Sequence, residues 1–240
     1  MKRKGFKEIL LLLSMLFALT GCSVSEATQH GMAVDTIQTE DVLLRVDFLN
    51  VGQADCALLS TKGHYMVIDG GNNGDADTIL SYLEGQGVEK LDAVVGTHPH
   101  EDHIGSLDAI INHFDVDAVY MPKIMHTSKT FEDVLDAVAN KGLKIKSPDP
   151  GDTIDFNGLE IEVLGPQREY KDFNNNSIVL KVNAGETAFL FTGDAEETAE
   201  KDILQADYDL QADVLKVGHH GSSTSSSQAF LQAVKPKYAV

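Results

Sequence analysis

Cysteine is nearly absent from this chain: Cys22 and Cys56 are the two among 240 residues. That scarcity excludes the disulfide-stapled framework of small secreted domains. Tryptophan is missing, proline is sparse at six residues, and 19 basic residues face 37 acidic ones. The formal net charge of −18 repels long polyanions unless positive charge is concentrated locally, and it attracts divalent cations. No apolar run reaches the roughly 20 residues that a bilayer span needs. The most apolar stretch, Ile9 to Leu19, is too short. No sequence repeat is evident, which argues against a solenoid. What remains is an ordinary globular composition, 42% hydrophobic and 23% charged, sufficient for one well-buried domain or at most two small ones.

Residues 1–22 join a basic start, Lys2-Arg3-Lys4, to that apolar stretch and end in Leu19-Thr20-Gly21-Cys22. The order is that of a signal peptide. The ending resembles the bacterial lipobox, with cleavage before Cys22 and acylation of that cysteine. We expect a signal peptide over 1–21, a lipidated Cys22 with a flexible tether over 22–40, and a folded domain over 41–240. Two acyl chains anchor stably where one does not. The expected location is therefore the extracytoplasmic face of the cell membrane, with no stable protein partner. Cys56, in the run Cys56-Ala57-Leu58-Leu59, reads as a small buried hydrophobe.

Within 41–240, strands are expected over 42–49, 55–60 and 64–69, the last two joined at Lys62-Gly63. A glycine-rich loop, Asp69 to Gly74, leads into a helix carrying Ile79, Leu80 and Leu83. A β-branched strand over 91–97 runs directly into His98. A helix with Ile104, Leu107, Ile110, Ile111 and Phe114 on one face follows. Thr130 is expected to cap a helix with Phe131, Val134, Leu135 and Val138. Strands over 117–121, 143–146, 152–156, 159–164, 177–183, 187–192 and 213–217 complete the pattern, with a helix opening on Glu196 and Glu197. Ser222 to Ser227 read either as a solvated helix cap or as a phosphate contact. Strand meanders followed by strand–helix alternation, twice over, suit two sheets packed face to face with helices outside.

The densest chemistry is His98-Pro99-His100-Glu101-Asp102-His103. In an extended segment His98 and His100 share a face, and two imidazoles on one face can bind one borderline cation. Asp102 and His103 follow a turn and can reach a second. Three histidines and a carboxylate packed so tightly are costly unless metal or water satisfies them. Asp194 and the pair His219-His220 also end expected strands. Alone, each is more readily structural, since an Asp opening a helix is usually a cap and a His pair is often solvated.

Taken together, these motifs resemble the metallo-β-lactamase superfamily, over about residues 42–240. His98-x-His100-x-Asp102-His103 looks like its signature, and within the superfamily the chain is most similar to the hydrolase domain of the competence protein ComEC. Gly52-Gln53-Ala54-Asp55, Asn174-Asn175-Asn176-Ser177 and His219-His220-Gly221-Ser222 fit that branch. The resemblance implies an αββα sandwich of two mixed sheets. It implies two divalent cations, zinc first and manganese as the alternative, held by His98, His100, Asp102, His103, Asp194 and His220. It implies that Asp69 orients a ligand from behind and that His219 lines the pocket and takes part in catalysis with Asp102. Asn174 and Asn176 stand where the superfamily usually has a histidine, and an amide oxygen is the weaker zinc ligand. Lys237-Tyr238-Ala239-Val240 reads as a strand barely begun, so the expected domain is incomplete at its C-terminus.

A cation pair of this kind ionises a water and stabilises charge on the attacked centre. The resemblance implies a phosphodiesterase or nuclease-like hydrolase, acting on single-stranded DNA or, given the acidity, on a smaller phosphoester. A β-lactamase and a non-catalytic metal-binding surface lipoprotein are the alternatives.

Overall fold

A computed structural model describes residues 42–240. The expected signal peptide, the Cys22 lipidation site and the tether lie outside these residues. Along the described chain come β1 (Arg45–Phe48), β2 (Ala57–Thr61), β3 (His64–Ile68), α1 (Ala76–Gly85), β4 (Lys90–Leu91), β5 (Ala93–Val95), α2 (Glu101–Ile104) and α3 (Leu107–His113). Then follow β6 (Asp115–Val116), β7 (Val119–Tyr120), α4 (Lys129–Asn140), β8 (Ile145–Lys146), β9 (Thr153–Phe156) and β10 (Leu159–Gly165). The chain closes with β11 (Val179–Ala184), β12 (Thr187–Phe191), α5 (Glu197–Gln205), β13 (Val214–Lys216), α6 (Gln228–Val234) and β14 (Tyr238–Ala239).

Two six-stranded sheets result, in the orders β1-β2-β3-β5-β7-β8 and β14-β13-β12-β11-β10-β9. Both are mixed. The first is antiparallel through β1, β2 and β3, then parallel through β5, β7 and β8. The second is antiparallel from β9 to β12 and parallel from β12 to β14. β4 and β6 pair separately.

The period-2 alternation of strand side chains builds the layers. On β2, β3 and β5, Leu58, Val67 and Val94 point outward to Ile79, Leu83, Leu107, Ile110 and Val134 of the helices. Their neighbours Leu59, Met66, Ile68 and Val95 point inward to Ile161, Val163, Leu180, Val182 and Phe191 of the second sheet. On that sheet's outer face, Val179, Leu190 and Leu215 meet Ala199, Ile203, Phe230 and Val234 of α5 and α6. Each such side chain, fully buried, stabilises the fold by roughly 1.5–3 kcal/mol. The expected αββα sandwich is the observed architecture.

Three local expectations are corrected. The helix expected from Ile104 to Phe114 is two, α2 and α3, separated at Gly105-Ser106. The Asp69–Gly74 loop docks there: Gly105 N–H donates to Gly71 O, Ser106 N–H to Gly70 O, and Ser106 Oγ to Asn72 O. A Cβ at Gly105 would lie 2.3 Å from the backbone of Asn72 and Asn73, so only glycine allows the contact. The cap of α4 is Ser128, whose Oγ accepts from Phe131 N–H, and Thr130 lies inside the first turn. The expected 91–97 strand is shorter, Ala93–Val95, because Lys90–Leu91 pair with β6 instead. The serine run ends as a cap: Ser227 Oγ accepts from Phe230 N–H, and buried Glu200 accepts the Ser226 and Ser227 N–H groups.

Four strands that lie parallel to a neighbour end at one rim. β3 leads to Asp69, β5 to His98, β12 to Asp194 and β13 to His219 and His220. Loops beyond the carboxyl ends of such strands are where mixed α/β sheets collect their sites.

Candidate metal centre

The site begins with a strand that stays extended past its last ladder pair. Gly96 N–H donates to Tyr120 O, and Thr97 O accepts from Ile178 N–H. His98 and His100 therefore face one way, with His98 Nε2 3.0 Å from His100 Nδ1. His100 occupies the N-cap position of α2, and that single helical stretch carries Asp102 and His103 inward.

Three imidazoles are held the same way. His103 Nδ1 lies 2.8 Å from Asp69 Oδ2, His220 Nδ1 3.2 Å from Asp55 Oδ1, and His219 Nδ1 3.1 Å from Glu196 Oε1. A carboxylate on Nδ1 fixes the tautomer in which Nδ1 donates, leaving the Nε2 lone pair free for a cation. Asp69 is itself locked by Thr97, whose N–H and Oγ1 donate to its two oxygens at 2.7 and 2.8 Å. Its φ of 61°, like the 48° and 51° of His219 and His220, is an unusual left-handed conformation for a residue other than glycine. Such backbone strain concentrates at functional sites.

Asp194 lies between the two groups of donors. Its Oδ1 is 3.1 Å from His103 Nε2 and 3.7 Å from His220 Nε2. Its Oδ2 is 3.7 Å from His98 Nε2 and 3.8 Å from His219 Nε2. His103 Nε2 and His220 Nε2 approach to 3.3 Å, and Asp102 Oδ2 lies 3.2 Å from His220 Nε2. Although buried, Asp194 Oδ1 has no hydrogen-bond partner. Its distance to His103 is that of an ion pair, without hydrogen-bond direction. An unpartnered buried carboxylate oxygen facing two imidazole Nε2 atoms is costly as it stands and is satisfied by a cation. The donors fit two cations: His98, His100 and Asp194 can hold one, and His103, His220, Asp194 and Asp102 the other.

Residues 49–240 match the model of the metallo-beta-lactamase superfamily. The chain belongs to that superfamily. ComE operon protein 3 of Bacillus subtilis (strain 168) is 29% identical over 214 residues, which cover 81% of this chain and 28% of that protein. Competence protein ComA of Neisseria gonorrhoeae is 31% identical over 202 residues, covering 80% of this chain and 26% of that protein. The chain thus spans about a quarter of the length of these relatives. Among solved structures, the metallo-beta-lactamase SMB-1 bound to 2-mercaptoethanesulfonate is similar in fold, with a TM-score of 0.53 and 13% identity over 74% of this chain and 78% of that one.

The candidate centre has a closed floor and an open rim. His98, His103 and Asp194 are buried, whereas the His219 and Asp102 side chains are 31% and 30% exposed. Electrostatics divide the imidazoles. Burial, aided by neighbouring imidazoles, pushes His98 well below the usual histidine range. Burial also opposes charge on His103, but Asp69 and Asp194 overcome it and hold that ring well above the range. Asp102 and then Asp55 raise His220 to about 9, and the His220 contact holds Asp102 down to about 2.

The remaining expected residues fall into two groups. Asn174 reaches the site: its Nδ2 lies 3.5 Å from His219 Nδ1 and from Glu196 Oε1. Asn176 does not. Its amide donates to Tyr170 O and Asp172 O and accepts from Tyr170 N–H, so it holds a loop. The Asn run supplies no imidazole, and His219 instead brings its Nε2 to the Asp194 oxygen shared with His98.

Asp55, Glu196, Thr97 and Lys216 went unassigned in the sequence. Asp55 also points a carboxylate at the His103, His220 and Asp194 cluster. However, its oxygens are engaged by His220 Nδ1 and, at 2.8 Å, by Lys216 Nζ, which makes it a support behind the histidine. Its one signal was its place in Gly52-Gln53-Ala54-Asp55. Glu196 had its spacing of two from Asp194.

Proposed function

We propose that this protein is a metal-dependent phosphodiester hydrolase. One observation carries the reading: the two oxygens of a single buried carboxylate, Asp194, face separate histidine pairs. His98, His100 and Asp194 would hold one divalent cation, and Asp102, His103, His220 and Asp194 the second. The imidazole-rich donor set favours zinc, and the carboxylates make manganese the alternative. A cation pair bound there supplies a hydroxide nucleophile near neutral pH and shields charge on both the attacked and leaving groups.

The residues divide the remaining work. Asp102, at the open rim, orients the attacking water. His219, fixed by Glu196 and 31% exposed, is the group placed to give a proton to the leaving oxygen. Asp69 and Asp55 keep His103 and His220 in the ligating tautomer. With a formal charge of −18, the chain suits a short single strand or a small phosphoester better than long duplex DNA. A relative named as a competence protein supports a nucleic-acid reading. We place the protein at the outer face of the membrane, held by lipid on Cys22, on the strength of residues 1–22. Among the described residues, no helix is long and apolar enough to cross a membrane.

The test is turnover of bis(p-nitrophenyl) phosphate, short single-stranded DNA and a chromogenic cephalosporin by protein loaded with zinc or manganese. Phosphodiester turnover that is lost in His100→Ala is expected. Cephalosporin turnover alone, or bound metal without any turnover, overturns the reading.

A further inference from the structure

Phe173 has no place in the hydrophobic cores. It belongs to none of the three clusters that hold the sheets and helices together, and it is partly exposed. Its ring packs instead against two imidazoles, centroid to centroid 5.7 Å from His100 and 4.6 Å from His126, edge-on to both at 77° and 76°. The His126 ring stands 6.3 Å from that of His100 and 6.4 Å from that of Phe131. His126 is not free to swing. Its Nδ1 accepts from Ser128 N–H at 3.1 Å, and Ser128 in turn caps α4. The adjacent Met125 is 75% exposed. Phe173 and His126 thus form a partly exposed aromatic cluster against His100, the candidate ligand histidine of the His98–His100 pair that is not fully buried.

We propose that Phe173 and His126 form a stacking subsite for a planar ring attached to the phosphoryl group, so that the protein selects nucleoside esters over aliphatic ones. This rests on the hydrolase reading. The physical case is that an acidic chain cannot draw affinity from many phosphate contacts. An aromatic surface stacks on any base irrespective of sequence, at roughly tenfold in affinity per stacked base.

The test uses the zinc-loaded protein and isothermal titration with two probes, thymidine 5′-monophosphate and methyl phosphate. Both present a phosphate dianion, and only the first adds a nucleoside and its ring. Thymidine monophosphate is expected to bind about tenfold tighter. In Phe173→Leu, which keeps apolar bulk but removes the ring, the ratio of the two affinities is expected to fall to near one, and His126→Ala to lower it in part. Equal binding of both probes by the unaltered protein overturns the proposal without recourse to any variant. A ratio that survives Phe173→Leu, with circular dichroism unchanged, overturns it as well. Turnover of bis(p-nitrophenyl) phosphate is read in parallel. Turnover without a ring preference leaves the hydrolase standing and removes the subsite, and a ring preference without turnover does the reverse.

Discussion

Asp55 Oδ1 lies 3.2 Å from Nδ1 of His220, with the Lys216 ammonium 2.8 Å from the other Asp55 oxygen. The carboxylate aims the imidazole, and the lysine balances the charge that burial would otherwise penalise. In Asp55→Asn the amide keeps a hydrogen bond to the ring but leaves the Lys216 charge uncompensated near the cation. Zinc affinity, measured by competition with a chelating dye, is expected to fall by roughly 10–100-fold. An unchanged affinity would show that Asp55 has no part in positioning His220.

A pH dependence follows from the Asp102–His220 pair. Asp102 is held at about 2 against a usual 3.8, so its contribution to stability is present above 3.8 and is lost as pH falls through about 2. His220 is raised to about 9 from 6.5, so its contribution is present below 6.5 and is lost as pH rises through about 9. Metal-free protein, melted in the presence of chelator, is expected to lose stability between pH 6.5 and 9. Zinc requires neutral imidazole, so its affinity should rise over that same interval with release of protons. Calorimetry in buffers of different ionisation heat reads that release directly, and zero release near pH 7 would contradict the assignment.

Gly105 is where the Asp69–Gly74 loop rests on the break between α2 and α3. In Gly105→Ala, the added methyl meets backbone 2.3 Å away, which no side-chain adjustment relieves. A loss of at least about 2 kcal/mol in urea unfolding is expected, toward the upper end for overpacking. Asp69 sits in that loop, so weaker zinc binding should accompany the loss. A variant as stable as the parent would mean that the loop moves freely.

Asn175 caps α5 from a distance. Its Oδ1 accepts from Glu196 N–H at 3.2 Å and Ala199 N–H at 3.0 Å, while Asp172 holds its amide nitrogen. In Asn175→Ala, the helix loses this cap at a cost of about 1 kcal/mol. Glu196, two residues from Asp194 and in contact with His219, loses its anchor with it. Urea unfolding checks the first effect. A zinc titration checks the second, which is expected as weakened binding, and unaltered binding would separate helix capping from the metal centre.

Much of the layering was legible in the chain. Strand alternation at Leu58-Leu59, Val67-Ile68 and Val94-Val95 divides apolar residues between two faces, and that pattern is local. Helix boundaries were less so. The helix expected over 104–114 carried an unbroken apolar stripe, Ile104, Leu107, Ile110 and Ile111, and its interruption at Gly105 arises from a loop 34 residues earlier that docks there. The Ser128 cap was masked by Thr130, two residues on, which has the same capping chemistry.

By itself the sequence determined the composition of the centre: His98, His100, Asp102 and His103 are neighbours on one strand end and can hardly avoid sharing a site. Only the tertiary structure decided how the rest is distributed. It set His220 beside His103, 117 residues away, and sent His219 to the other oxygen of Asp194. It also placed Asp55 and Glu196 behind the two rings and raised Phe173 beside His100. Those relations depend on which loops four strand ends bring together. The hydrogen bonds that orient an imidazole come from residues distant in the chain, so no local spacing encodes them.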